Sequence, residues 1–472
     1  MQMIFEQGKN CDIKDVLDNR DWRASMQTQL VKKHCDKTIV SVKLNIPGPI
    51  KNNGQISQFF KLELKQFEQK LQQQGILYSV YGDYLDKITG PERFYGLDDE
   101  SFHVKHLTTC FEDSTAARRL FDIDVLVQSE NQIRPISRAQ IDQEQRKCLI
   151  CSRPAKECGR ARKHSVKQLQ QKVSQLISET LKILKNDQKA QLLAQLGVQA
   201  MLDEVMTWPK PGLVDPLENG AHPDMDHFLF VKSALSLESY LFECAQIGLN
   251  YTGNKFEELF DEIRRIGKVA ESDMFKVTNG INTHKGVVFS LGVMETACGI
   301  AIHEKNLTTQ RLQKIIQQML QNLVKNDLQD NANAHTAGEK QYQKYHLGGV
   351  RAEAASGYPA VFEHGLKTYH ITQNLPQNDQ YIVTLMDLAR HTNDSTLIKR
   401  AQSPQIIEWK NQQIDHFFDL GATVTEKGRD FLMQMQANFS KRHLSLGGSA
   451  DLLILTIFIA NVERRFANGL SN

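Results

Sequence analysis

Leu120-Phe121-Asp122-Ile123-Asp124-Val125 is the stretch whose pattern decides the first half of the chain. Apolar and acidic residues alternate with period two. On an extended strand this puts Asp122 and Asp124 on one face and Phe121, Ile123 and Val125 on the other. Two carboxylates about 7 Å apart along a strand suit a magnesium ion shared with a substrate phosphate. Enzymes that move phosphoryl or nucleotidyl groups need such an ion. The plain alternative is an edge strand with a solvated acidic face. Arg118 and Arg119, directly ahead of the strand, favour the phosphate reading, because a guanidinium pairs bidentately with phosphate.

On the N-terminal side, residues 38–46 are β-branched and end at Pro47-Gly48-Pro49, a strand closed by a turn. Residues 57–74 carry apolar side chains at helical spacing up to Gly75, and residues 76–81 read as another strand. The pattern is α+β. On the C-terminal side lies Cys148-x2-Cys151-x6-Cys158-x5-His164, close to a Cys3His zinc pattern. The alternative there is three small buried thiols. The same stretch carries Arg146, Lys147, Arg153, Lys156, Arg160, Arg162 and Lys163 against Glu157 alone. Such a run is commonly a solvated face, but it also suits a polyphosphate or an acidic protein partner.

Residues 165–200, rich in Lys, Gln and Leu and free of Pro, predict one or two joining helices. Beyond 195 helical periodicity dominates, at 225–248, 255–266, 287–302, 308–326, 381–391, 405–420, 425–440 and 450–466. The expected organisation is therefore multidomain, an α+β domain over 1–180 followed by an all-α helical domain over 181–472, as a length of 472 residues requires. A net charge of +2 argues against a general nucleic-acid binder. The first fifteen residues lack a basic region followed by an apolar run, so no signal peptide is expected. The longest apolar run, 452–460, falls short of the roughly 20 residues that span a bilayer. Eight cysteines in so long a chain do not make a disulfide framework, and a cytoplasmic protein without membrane contact is expected.

Four constellations carry the chemistry of the second half. Lys210-Pro211-Gly212-Leu213-Val214-Asp215 precedes a turn with His222, Asp224 and Asp226, whose plainest role is to cap the next helix. Gly280-Ile281-Asn282-Thr283-His284-Lys285-Gly286 opens another helix, where free N–H groups with His284 and Lys285 make an anion site. The third comprises Glu339, Gly348-Gly349, Arg351, Glu353 and Gly357-Tyr358-Pro359, and the fourth Ser445-Leu446-Gly447-Gly448-Ser449-Ala450-Asp451. Glycine-rich helix starts interleaved with acids and bases favour a nucleotide triphosphate held with magnesium.

Pro47-Gly48-Pro49-Ile50-Lys51, Gly90-Pro91-Glu92, Arg119 through Val125 and Arg146 through His164, in that order, resemble the apo-citrate lyase phosphoribosyl-dephospho-CoA transferase family over residues 25–170. The alternating acidic strand is likewise similar to the metal-binding strand of the nucleotidyltransferase-like fold. The resemblance implies transfer of phosphoribosyl-dephospho-CoA to a serine of the lyase acyl carrier (gamma) subunit with release of pyrophosphate, and Asp122, Asp124 and Arg119 as its catalytic group. Lys210 through Asp215, Asn282 through Gly286 and Gly447 through Leu453 resemble the triphosphoribosyl-dephospho-CoA synthase family over residues 195–465. That implies transfer of the triphosphoribosyl unit of ATP to dephospho-CoA with release of adenine. Lys210, His284, Lys285, Arg351, Gly447 and Gly448 are then the nucleotide-binding candidates. Asp215, Glu339 and Glu353 are the catalytic candidates, and Asp224, Asp226 and Asp451 the magnesium candidates. The pattern departs once, at His391-Thr392-Asn393, where the family has Asp-Thr-Asn. Two alternatives stand beside this reading: the same chemistry serving malonate decarboxylase, and a non-catalytic assembly factor that binds the carrier.

Overall fold

Residues 121–129 form a strand inside a five-stranded antiparallel sheet, one place in from its edge. The structure, a computed structural model, describes residues 3–129, 132–323 and 349–467. It divides into two units, Met1–Lys185 and Asn186–Asn472.

In the first unit the elements run α1 (Ile13–Lys33), β1 (Thr38–Leu44), α2 (Gly54–Gln73), β2 (Tyr78–Tyr84), β3 (Glu92–Leu97), α3 (Ser101–Asp113), β4 (Phe121–Ser129), β5 (Gln132–Pro135) and α4 (Ala155–Arg160). The sheet order is β2-β3-β1-β4-β5. The Asp122 strand is thus paired on both sides, and the edge-strand alternative does not hold. Its odd positions, Phe121, Ile123 and Val125, are buried under α2 and α3, where Phe59, Phe60, Phe67 and Phe111 complete the core. Each fully buried aromatic of this kind contributes roughly 1.5–3 kcal/mol. Asn53 caps α2 by accepting from the Gln55 and Ile56 N–H groups, and buried apolar residues then recur at 56, 59, 60, 64, 67 and 71. The opposite face of the sheet is covered at one end by α1, through Trp22, Met26 and Leu30 against Ile39, Phe94 and Leu126. At the other end that face is polar, and Asp122 and Asp124 stand there.

Of the one or two joining helices expected, the structure has one, α5 (Val166–Met206). Val173, Leu176, Ile177 and Leu181 belong to the first core, while Ala190, Leu193, Ala194 and Met201 belong to the second.

The second unit is helical. It contains α6 (His227–Ser236), α7 (Glu238–Asn250), α8 (Phe256–Val277), α9 (Lys285–His303), α10 (Thr309–Met319), α11 (Gly349–Ala355), α12 (Leu366–Ile371), α13 (Gln377–Arg390), α14 (Ser395–Ala401), α15 (Ile406–Asp419), α16 (Glu426–Lys441) and α17 (Gly447–Val462). The helix expected over 225–248 is two, and the break places Leu237 in the core. The helix expected to stop near 266 continues to Val277, with Gly267 packed beneath the Tyr240 ring; tertiary contact there outweighs the weak helix propensity of glycine. The two central helices are α9 and α17. By length and composition α9 could cross a membrane, but most of it is buried in this unit as a core helix. Gly248 lets α7 lie against it, since a Cβ at that position would fall 2.2 Å from the Thr296 carbonyl oxygen.

Candidate active sites

On β4, Asp122 and Asp124 stand on the polar face as the period requires, 38% and 28% exposed at their side chains. Antiparallel register sets Lys43 of β1 directly opposite Asp122. Its ammonium lies 2.7 Å from Asp122 Oδ2 and 2.9 Å from Asp124 Oδ2, so both carboxylates converge on one cationic point. Burial works to raise the Asp122 pKa, but Lys43 and then Arg146 outweigh it and hold the carboxyl below its usual range. Burial likewise opposes the Lys43 charge, and Asp124 and Asp122 more than restore it.

Glu112 of α3, fully buried, organises the back of this site. It accepts from the Ile123 N–H at 2.8 Å, pairs with Arg138 at 2.8 Å, and binds Arg146 closely. Arg146 in turn reaches Asp122 Oδ1 at 3.4 Å. Arg118 is committed to Glu63 at 2.6 Å and faces the core. Arg119 donates to the carbonyls of Lys147 and Cys148. The two arginines before the strand therefore divide, one into the core and one into the cysteine loop.

That loop brings all four sequence candidates together. Cys148 and Cys158 Sγ are 3.5 Å apart, Cys151 and Cys158 Sγ 3.9 Å, and His164 Nε2 is 3.3 Å from Cys151 Sγ. All four donor atoms lie within 4.8 Å of one another. Four ligands at about 2.0–2.3 Å from a tetrahedral zinc are spaced like this. The Ile150 N–H points at Cys148 Sγ, and the Cys148 N–H donates to the Arg153 carbonyl at 2.8 Å, folding the loop back on itself. Lys147, Arg153, Lys156, Arg160, Arg162 and Lys163 are exposed around it.

In the second unit the starts of α9 and α17 meet. A Cβ on Gly286 would fall 2.1 Å from Asp451 Oδ2, so only glycine admits that carboxylate against the first turn of α9. Burial, then Glu204 and Asp394, drive the Asp451 pKa well up. Lys210 is completely buried and its ammonium bonds Glu204 Oε1 at 2.5 Å and the Glu204 carbonyl at 2.6 Å. His284 is buried as well. Burial, reinforced by Lys210, pulls its pKa down to about 3, so it is a neutral imidazole and not a cation for phosphate. Thr283 Oγ1 donates to Ser233 Oγ at 2.7 Å, and Ser233 Oγ is 2.7 Å from His284 Nδ1, leaving Nε2 without a partner among the described residues.

Asp394 fastens this region. It caps α14 by accepting from the Thr396 and Leu397 N–H groups, and its other oxygen accepts from Ser449 N at 2.9 Å and Ser449 Oγ at 3.0 Å. Gly448 lies beside it, and Gly447 beside Thr396. Lys410, buried nearby and lowered to about 8 by burial, donates to the carbonyls of Ala389 and Thr392. Arg400 bonds the carbonyls of Ala221 and His443 and approaches His222 Nδ1 at 3.0 Å, while His222 Nε2 is 3.1 Å from Ser445 Oγ.

The remaining candidates are placed differently. Asp215 is buried in its own turn, accepting from Leu217 N, Glu218 N and Gln436 Nε2. Asp226 caps α6 through the Leu229 N–H, and Asp224 is exposed. Lys285 pairs with Glu271 at 3.0 Å, half exposed. Glu353, its pKa raised by burial, accepts from the Ala360 N–H; Arg351 is half-buried on α11. Glu339 lies outside the described residues. His391 stacks on His364 at 3.6 Å near the surface, beside Asp387, so the buried carboxylate of that segment is Asp394, three residues on. Glu204, Asp394, Arg400 and Lys410 were not singled out in the sequence. Asp394 just before a helix start was the one available signal, and it reads as a cap.

Comparison with known proteins follows the same division. The profile of the apo-citrate lyase phosphoribosyl-dephospho-CoA transferase family matches residues 11–180. That of the ATP:dephospho-CoA triphosphoribosyl transferase family matches residues 190–469. Protein CitXG of Leuconostoc mesenteroides is 38% identical over 97% of this chain and 98% of its own length. Protein CitXG of Haemophilus influenzae is 30% identical over 96% of each. A probable triphosphoribosyl-dephosphocoenzyme-A synthase of Lactiplantibacillus plantarum is 43% identical, covering 57% of this chain and 96% of its own.

Proposed function

We propose a division of labour for this chain, which belongs to the CitXG family of bifunctional transferases that make and attach the citrate lyase prosthetic group. The second unit joins ATP and dephospho-CoA into triphosphoribosyl-dephospho-CoA and releases adenine. The first unit transfers phosphoribosyl-dephospho-CoA to a serine of the lyase acyl carrier subunit and releases pyrophosphate. ATP as substrate and the free thiols of Cys148, Cys151 and Cys158 suit the cytoplasm.

In the first unit Asp122 and Asp124 are the catalytic carboxylates, on a sheet we read as nucleotidyltransferase-like. One observation carries this: the Lys43 ammonium sits between them, marking a point where two hard oxygen donors hold a cation. Asp122 and Asp124 would hold magnesium, which when bound supplies charge stabilisation at the phosphate under attack. Arg146 aligns Asp122 from behind, anchored by Glu112. Cys148, Cys151, Cys158 and His164 would hold a structural zinc, fixing the loop that carries Arg146.

In the second unit the paired helix starts take the triphosphate. N–H groups at the start of α9 attract anions, and Lys285 at its first position adds charge at the rim. Asp451 would hold magnesium there. Arg351 of α11 and Glu353 remain candidates for nucleotide binding and catalysis, and Glu339 remains one from the sequence alone. His284, neutral, is suited to hydrogen bonding with the nucleotide rather than to charge neutralisation.

The test uses full-length protein, supplied triphosphoribosyl-dephospho-CoA and apo-carrier. EDTA should stop transfer and added magnesium restore it, and metal analysis should find about one zinc per chain, lost in Cys151→Ser. Transfer indifferent to EDTA would overturn the metal reading of Asp122 and Asp124. Equal or better modification of the malonate decarboxylase carrier would reassign the acceptor.

A further inference from the structure

Beside Arg146 the first unit contains a cavity of about 650 Å³. Arg119, Arg146, Lys147 and Arg162 contribute to its wall, with Leu149 and Val166 among its apolar lining. Among the described residues Asp113 is the only carboxylate in the lining, and it is already paired with Arg138 at 2.7 Å. Arg119 bonds only carbonyl oxygens, and among the described residues neither Arg119 nor Arg162 pairs with a carboxylate. Of the four basic wall residues, Arg146 is shared with Glu112 and Asp122 and Lys147 pairs with Glu144, so the charge left without a carboxylate among the described residues is that of Arg119 and Arg162. The cavity is joined to the catalytic strand by Arg146, which lines it and lies 3.4 Å from Asp122.

We propose that this cavity holds the two terminal phosphates of the triphosphate, the part of the donor that departs. The inference rests on Asp122 and Asp124 marking the position of the phosphorus under attack. In the transfer, the acceptor serine oxygen forms a bond to the phosphorus next to the ribose. The bond from that phosphorus to its bridging oxygen breaks, the oxygen leaves as part of pyrophosphate, and the serine proton passes to solvent. A leaving group gaining negative charge needs fixed cations where the charge develops. Arginine forks suit phosphate oxygens, and Arg119 and Arg162 supply two that are uncommitted to acids. Arg153, Lys156, Arg160 and Lys163 are exposed and do not line the cavity, whose volume is that of a small-molecule site.

Inorganic pyrophosphate is the probe, used as a product inhibitor of transfer by the full-length protein with supplied triphosphoribosyl-dephospho-CoA. Inhibition should be competitive with that donor, and Arg162→Ala should raise the inhibition constant roughly tenfold, with Arg162→Lys recovering part of the loss. Adenine release by the second unit should be unchanged in both. Arg119→Lys, which keeps a donor for the loop carbonyls, serves as the second variant and should also weaken inhibition. An inhibition constant within twofold of the parent in both Arg162→Ala and Arg119→Lys overturns the proposal. So does a rise in KM for the carrier with pyrophosphate inhibition intact, which would make the arginines a protein-docking surface. If Asp122→Asn abolishes transfer while pyrophosphate inhibition ignores Arg162, the cavity assignment alone fails. Full transfer by Asp122→Asn would instead remove the reading beneath it.

Discussion

The two candidate sites solve the problem of holding charge in opposite ways. On the sheet, Asp122 and Asp124 remain partly open to solvent and share Lys43 from the neighbouring strand, with Arg146 beside Asp122. At the paired helix starts, Glu204, Asp394, Asp451, Lys210 and Lys410 are drawn from remote parts of the sequence into an interior where charges are costly. The open site leaves both carboxylates within reach of solvent. In the closed one the electrostatics are set by burial as much as by pairing.

This contrast is most sharply tested by Asp122→Asn. Transfer to the carrier should fall to background, since metal stabilisation of phosphoryl charge is worth several kcal/mol, while adenine release and thermal stability stay near parental values. If the strand is only a solvated surface, both activities survive. Lys210→Met should do the reverse. Removing one partner of a fully buried pair leaves Glu204 uncompensated, at a cost of about 3–5 kcal/mol. The second unit should unfold at clearly lower urea while the sheet unit does not. A shift below about 1 kcal/mol would mean that water or Asp451 relieves Glu204.

Acidity should separate the units more gently. His284 has its pKa lowered from 6.5 to about 3, so between these values the unfolded chain binds a proton that the folded one does not. Its contribution is fully present above pH 6.5 and is lost as pH falls towards 3, with a slope of up to about 1.4 kcal/mol per pH unit. Denaturation of the second unit followed from pH 7 to 5 should show that slope, and His284→Gln should flatten it. The smallest effect is expected at Lys285. Its bond to Glu271 is half exposed and adds little to stability, so Lys285→Ala should weaken ATP dependence of adenine release without moving the melting curve. Unchanged kinetics would take Lys285 out of the site.

How far each region could be read from sequence follows from the same contrast. The β4 pattern is local: period two alone sorts Asp122 and Asp124 from Phe121, Ile123 and Val125, and the structure keeps that sorting. The cysteine loop is local too, its four candidates lying within residues 148–164. Lys43 was invisible, because register between strands is a tertiary property. In the second unit the motifs at Lys210, His284 and Ser445–Asp451 were recognisable, but their roles were not. Asp215 and Asp226 look identical in sequence to ligands, yet Asp215 has both oxygens engaged, by Leu217 N, Glu218 N and Gln436 Nε2, and Asp226 accepts through Oδ1 from Leu229 N. Asp394, Arg400 and Lys410 sit in ordinary helical sequence, and only packing reveals that they converge. Gly267 shows the same limit in the fold, since a residue expected to end α8 lies inside it.

The long helix α5 bears on how the protein is born. Its contribution to the first core ends at Leu181 and its contribution to the second begins at Ala190. During synthesis, which proceeds from the N-terminus at about 5–20 residues per second, every side chain the first core requires has been made before the second core has any. The sheet unit can therefore reach its native packing while most of the helical unit is still untranslated. It does not have to wait for a distant segment, and it offers the nascent second half several finished turns of helix from which to grow.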